Sequence, residues 1–277
     1  MPPTGIAAGI FSALSFGAGD FAGAFAARRA GAIIVVAGAH LVGLLALLMG
    51  IAVIRPPVPD LGPALIGVGA GVAGAVGLAA LYRGMSLGSM GIVTSMSGAG
   101  SLVIPLVAGT VLGATVTPTQ LAGVGCAAAA AAAASGASRD EVGRHALLLA
   151  GAAAVGFGTW YVLLDLAARG GDPLWALVFS RATSAMLTAA FALRRFDRAR
   201  FPVLIVIAAG LFDVGGNALY VVARELIPIG LAAALTGLYP IVTMVLARFV
   251  LGERLTRLGQ VGVALAVLGI VLISAGG

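Results

Sequence analysis

Long apolar stretches of roughly 16 to 24 residues recur along the whole chain, with only short polar breaks between them. A helix needs about 20 residues to cross about 30 Å of hydrocarbon, so the pattern leaves few folds open. Apolar residues make up 61% of the 277 positions and charged residues 9%, where an ordinary soluble domain carries about 25% charged residues. A soluble chain cannot bury so much apolar side chain behind so little polar surface. Mean hydropathy is +1.13. The fold class expected is an all-α polytopic membrane protein. Lipid supplies no hydrogen-bond partners to exposed backbone, which favours helices, and the apolar runs lack the period-two alternation of a membrane β-barrel.

Counting the stretches gives ten spans, near 5–26, 32–54, 62–82, 89–111, 118–134, 146–168, 174–193, 201–222, 230–250 and 257–275. The fifth is short and Ala-rich, so it is either less tilted or begins earlier. Arg28-Arg29 closes the first span and Arg55 to Asp60 the second; Ser135 to Arg144 is the longest polar stretch and lies near the midpoint. Met1 to Thr4 has no Arg or Lys and runs directly into apolar sequence, which reads as a first spanning helix and not a cleaved signal peptide.

The chain reads as duplicated. Val111 to Thr117 resembles Val250 to Thr256, Gly123 falls on Gly262, Leu81-Tyr82 on Leu219-Tyr220, and Ser15-Phe16-Gly17 on Gly156-Phe157-Gly158. Each half, 1–137 and 138–277, then holds five spans. An odd number inserts the halves in opposite orientations, giving the inverted repeat from which many secondary transporters are built.

The motifs of the second half resemble the EamA family of the drug/metabolite transporter superfamily. They are Tyr220, Pro228, Thr236, Tyr239-Pro240, Leu251-Gly252-Glu253-Arg254-Leu255-Thr256, Gly262 and Leu268-Gly269. In the first half Tyr82, Leu112-Gly113 and Gly123 fit, but Ala114 stands where the family commonly has Glu, and Ser101 where the second half has Pro240. The resemblance implies ten spans from two five-span repeats and transport of amino acids, other metabolites or drugs, often outward, across the cell membrane. It also implies both termini inside. The arginines imply the opposite. Arg28, Arg29, Arg83, Arg139, Arg144, Arg194, Arg195, Arg198, Arg200, Arg248, Arg254 and Arg257 follow odd-numbered spans, and only Arg55, Arg169 and Arg224 follow even-numbered ones. The positive-inside rule puts the richer set in the cytoplasm and the termini outside.

Charge inside hydrocarbon costs at least about 2.5 kcal/mol on insertion scales and should face the bundle interior. Asp20, Asp165, Arg181 and Asp213 fall within spans or close to their ends, and His40 near the middle of the second. Asp213, Asn217 and Tyr220 share one helical face, beside a Gly pair that permits close approach or a kink. These residues form either a substrate-binding or protonatable face or a buried polar cluster that ties helices together. Asp20 lies among glycines and is a second candidate for binding or protonation. Arg181 stays charged; structural pairing with either Asp is favoured over holding an anion. His40 reads as a satisfied packing residue, and Asp165 as an interfacial one. Tyr82, Trp160, Tyr161, Tyr220 and Tyr239 could line a cavity or serve as interface belts. Thr94-Ser-Met-Ser97 and Thr236 offer small hydroxyls that serve either a substrate path or helix contacts. Pro105 and Pro240 should bend or interrupt their helices and free carbonyls toward a central site.

The sequence carries no phosphate-binding Gly-Lys-Ser/Thr, no HExxH, no Gly-x-Ser-x-Gly and no Cys pair. The scattered arginines form no nucleic-acid stripe. No cofactor or metal is expected, and no enzymatic activity. The leading expectation is a secondary active transporter working by alternating access, exporting a small metabolite such as an amino acid or a drug-like compound. Protons are the candidate coupling ion, through Asp20 or Asp213. The rivals are an integral-membrane enzyme on a lipid-linked substrate and a non-transporting scaffold. A monomer and a homodimer both fit.

Overall fold

In a computed structural model of the chain, residues 2–111, 115–137, 143–193, 201–227 and 229–275 are described, without the side chains of residues 134–137, 229, 230 and 234. Leu112-Gly113-Ala114, Pro228, the 137/138 boundary and Arg139, Arg194, Arg195, Arg198 and Arg200 therefore lie outside the described residues. The helices are α1 (Pro3–Ala30), α2 (Ala32–Ile54), α3 (Leu61–Leu87), α4 (Met90–Ser101), α5 (Val103–Val111), α6 (Pro118–Ala137), α7 (Arg144–Arg169), α8 (Pro173–Ala192), α9 (Val203–Leu226), α10 (Ile229–Thr236), α11 (Tyr239–Leu251) and α12 (Arg257–Ala275). Among the described residues, eight helical stretches are long and apolar enough to cross a membrane, with α4 and α5 counted as one stretch from Met90 to Val111. The protein is an all-α polytopic membrane protein. The Ala-rich α6 starts where the sequence places it and runs on to Ala137.

Two of the expected spans are broken, and proline explains both breaks. α4 and α5 part at Leu102, three residues before Pro105; α10 and α11 part at Gly237 and Leu238, just before Pro240. Proline has no N–H for the carbonyl four residues back and its ring crowds that carbonyl. Ser101 and Thr236 therefore lose their usual helical donors. A single residue, Gly31, joins α1 to α2 at φ 86°, ψ 143°, a region open essentially only to glycine.

Lipid gives helices no hydrophobic reason to associate, so contact depends on close backbone approach through small residues. The main pairings are α3 with α7, α1 with α9, α6 with α12, and α2 with α8. At the α3–α7 crossing, a Cβ on Gly156 would lie 2.6 Å from the Cα of Gly77. On α9 a Cβ at Gly210 would meet the Ala39 carbonyl at 2.5 Å, and at the α6–α12 crossing one on Gly123 would meet the Gly269 carbonyl at 2.9 Å. The largest core cluster joins the end of α1 (Ala24, Ala27), the start of α2 (Val35, Val36), the end of α3 (Leu81, Tyr82, Met85), the start of α4 (Met90, Val93) and the starts of α7 and α9. All of these lie toward one end of the bundle. The other end holds only small clusters, around Ala8, Ala223, Ile227 and Ala232 and around Leu47, Leu177 and Val178.

Gly156→Leu should force α3 from α7 and cost about 1–3 kcal/mol, as overpacking does. Thermal unfolding in detergent should show a lowered midpoint, while Gly151→Ala, where a Cβ meets nothing within 4 Å, should leave it in place.

Candidate functional site

The polar residues of mid-membrane collect where α1, α2, α8 and α9 meet. α8 carries Ser180, Arg181, Ser184 and Thr188, all buried, and their spacing of about four puts them on one face. Arg181 is paired by Nη2 to Asp213 Oδ2 on α9 at 2.5 Å. Its Nη1 donates to His40 Nε2 on α2 at 2.6 Å. Guanidinium has donors only, so His40 Nε2 carries no proton and Nδ1–H donates to Ser184 Oγ. The imidazole is thereby satisfied at both nitrogens, as a link between Arg181 and Ser184. Arg181 Nε is buried with no hydrogen-bond partner.

Arg181 thus takes the pairing role. Asp213 is its partner, with a side chain 21% exposed. Asn217 does not reach that carboxylate with its amide; Nδ2 donates to the Asp213 backbone carbonyl at 2.8 Å. The Gly pair beside Asp213 serves close approach without interrupting α9: Gly215 lies against Ser15 Oγ and Gly216 against the Phe16 ring. Ser12 and Ser15 reinforce this contact by donating to the carbonyls of Gly216 and Phe212, at 2.8 and 2.7 Å.

Asp20 is half-buried and makes no ion pair or hydrogen bond among the described residues. Its neighbour Gly19 seats α1 on α9, where a Cβ would come within 3.4 Å of the Asp213 backbone nitrogen. Phe16, Asp20 and Gly23 lie on one face of α1. Phe16 packs edge-on to Tyr239 of α11, with centroids 6.4 Å apart. Gly23 leaves room for the tip of the Tyr82 ring from α3, whose hydroxyl would lie 2.3 Å from a Cβ there. Asp20 is therefore bracketed by two tyrosine-bearing elements. From α7, Trp160 bonds Ser180 Oγ at 2.9 Å and stands edge-on to Tyr161, with centroids 5.0 Å apart. Tyr161 is 44% accessible, yet lies within electrostatic range of Asp20, Asp213 and Tyr220 on the facing helices. Tyr82, 1% exposed, belongs to the dense core cluster.

The other candidates separate from this group. Tyr220 is half-buried beside the small cluster of Ala8, Ala223, Ile227 and Ala232. Thr94, Ser95, Ser97 and Thr236 have buried hydroxyls without hydrogen-bond partners. Asp165 is exposed and paired with Arg169 at 2.7 Å, the interfacial position expected. A groove of about 450 Å³ between residues 57–60 and 170–173 lies in the end connectors, away from the polar group. Among the described residues, no three His, Cys, Asp or Glu side chains group as metal ligands.

Sequence reasoning missed Ser180 and Ser184, although the polar stripe of α8 was visible at helical spacing. It also missed the role of Glu253. Glu253, in the α11–α12 connector, accepts from Ser89 Oγ, from Met90 N–H at 3.1 Å and from Gly91 N–H at 3.3 Å. It caps the N-terminus of α4, where free N–H groups and the helix dipole favour an anion. The contact lies at the densely packed end.

The sequence pattern of the EamA-like transporter family matches residues 144–275. This segment is similar to the EamA-like transporter family. The match runs from the first residue of α7 to the last of α12 and includes Arg181, Asp213 and Glu253. The family is one of transporters, not enzymes, and the protein is a multi-pass membrane protein. No curated protein matches the chain. Sixteen chains of solved structures match. One is a crystal structure of a protein 18% identical, aligned over 98% of this chain and 96% of that one with a TM-score of 0.64, which shows a shared fold over nearly the whole length.

Removing one member of a buried ion pair typically costs about 3–5 kcal/mol, because the other charge is left uncompensated. Arg181→Met and Asp213→Ala should each lower the unfolding midpoint strongly in detergent. The double variant should be more stable than the sum of the two losses allows, and this double-mutant cycle measures the coupling.

Proposed function

We propose that the chain is a secondary active transporter that exports a small metabolite or drug-like compound by alternating access. The observation that carries this reading is a group of charged and aromatic side chains at mid-membrane, half-buried Asp20 and Asp213 and exposed Tyr161, seated over a core that is dense toward one end only. A scaffold has no use for an unpaired Asp20 in that position. In this reading the dense end is the closed gate, and Glu253 on the α4 N-terminus is its latch.

Ten spans arranged as an inverted repeat, with units 1–137 and 138–277, are part of the proposal. The pairing of helices supports it, since contacts recur between corresponding residues. Phe16 lies on Gly216 as Phe157 lies on Gly77, and Gly17 meets the Tyr239 carbonyl and Val242 as Gly158 meets the Ser101 carbonyl and Ile104. The helix breaks at Leu102 and at Gly237-Leu238 fall at matching places in the two halves. Such breaks near the midplane are a recurring feature of transporter sites.

Protons are the coupling ion we propose, with Asp20 as the carrier, because Asp213 is already neutralised by Arg181. In proteoliposomes, Asp20→Asn should transport without dependence on an imposed pH gradient; wild-type dependence in that variant would remove Asp20 from coupling. Alternating access is tested by Tyr161→Cys in a Cys126→Ser background. A membrane-impermeant maleimide should label the new thiol from one side of the membrane only. With Glu253→Ala added, labelling should appear from the other side as well. Absence of labelling from both sides would defeat the proposal.

A further inference from the structure

We propose that the Phe16–Asp20–Gly23 face of α1 binds an organic cation, an ammonium group carried on an aromatic or apolar body, and discriminates against the amino acid with the same side chain. The inference names the substrate class of the site proposed above and rests on that reading for its place in a transport path.

The charge balance comes first. Three charged side chains meet at mid-membrane: Asp20, Arg181 and Asp213. Arg181 and Asp213 neutralise each other. His40 accepts from Arg181 and adds no charge. Around Asp20, the elements packed on α1 present Tyr82 from α3, Tyr239 from α11 and Asp213 from α9, with Tyr161 from α7. None of these is a cation. An ionised Asp20 is therefore one negative charge in excess, in a medium where unpaired charge is costly; it is neutralised either by the coupling proton proposed above or by a cation that arrives as the ligand.

The surroundings set the kind of cation. Phe16, one turn from Asp20, and the Tyr239 ring packed edge-on to it are aromatic side chains of the kind that attract an ammonium group. Ca²⁺ and Mg²⁺ take six or more oxygen ligands, which two carboxylates and phenols in a partly apolar site do not supply, and no three His, Cys, Asp or Glu side chains group here among the described residues.

The same geometry disfavours a carboxylate on the ligand. Both Nη atoms of Arg181 are engaged by Asp213 and His40, and its Nε is buried. The Asn217 amide donates to its own helix. Arg224 lies in the last turn of α9 beside Glu225, at 3.8 Å. A ligand carboxylate at Asp20 would meet two acidic side chains and no cation free of an acidic partner.

Three compounds that share a phenyl ring isolate the charge: phenethylamine (cation), phenylalanine (zwitterion) and 3-phenylpropionate (anion). Binding to the purified full-length chain in detergent is measured by isothermal titration calorimetry. Phenethylamine is expected to bind, and phenylalanine about tenfold or more weakly, with no heat from 3-phenylpropionate. Asp20→Asn should weaken phenethylamine binding by a similar factor, Asp20→Glu should retain it, and the exposed Asp165→Asn should bind as wild type. Equal affinity for phenylalanine and phenethylamine, undiminished amine binding in Asp20→Asn, or no amine binding by wild type each overturns the proposal. The wild-type comparison stands even if Asp20→Asn does not fold. Counterflow into proteoliposomes separates the two readings. Movement of phenylalanine but not phenethylamine keeps the transporter and removes the cation site. Binding of phenethylamine without movement keeps the site and removes the transporter.

Discussion

Lipid as a solvent sets the terms of this structure. It neither hydrogen-bonds the backbone nor drives apolar surfaces together, so every helix must satisfy itself and every helix pair must earn its contact by proximity. The chain meets the second demand with glycine. Gly77 against Gly156, Gly210 against the Ala39 carbonyl and Gly123 against the Gly269 carbonyl bring backbones within van der Waals contact. Hydroxyls do the rest, with Ser12 and Ser15 donating across the α1–α9 boundary. Large aliphatic side chains can then face lipid at little cost, as Met49, Val53, Leu204 and Phe249 do.

The same solvent makes each charge in the interior informative. Arg181 is held on two sides, by Asp213 and by the acceptor nitrogen of His40, which Ser184 in turn orients. That chain fixes α2, α8 and α9 relative to one another. It also leaves Asp20, on the helix packed against α9, as the acidic group without a fixed partner.

The ends of the bundle differ as well. At one end Leu81, Tyr82, Met85, Met90 and Val93 are almost fully buried, and Glu253 joins the α11–α12 connector to the start of α4. At the other, exposed Val53, Ile54 and Leu61 flank small, separate clusters.

Much of this was legible in the sequence. Span limits follow from apolar run length: the second and last spans, 32–54 and 257–275, coincide with α2 and α12. The breaks at Leu102 and Gly237 follow from Pro105 and Pro240, because a missing N–H is a property of the residue itself. The exposure of Asp165 and the satisfaction of His40 followed from their positions in a span. The partners did not. Residue spacing on one helix says which side chains share a face, as for Asp213, Asn217 and Tyr220, but not which helix that face meets. Only the packing of α8 and α9 on α2 decided that Arg181 takes Asp213 and not Asp20. Only the meeting of α11 with the start of α4 gave Glu253 its donors. The sequence by itself determined that the chain is a bundle of lipid-spanning helices and where those helices start, stop and break, because these depend on local composition and backbone chemistry. The tertiary structure decided which charges are neutralised and which is left free, because that depends on distances between helices that no local pattern encodes.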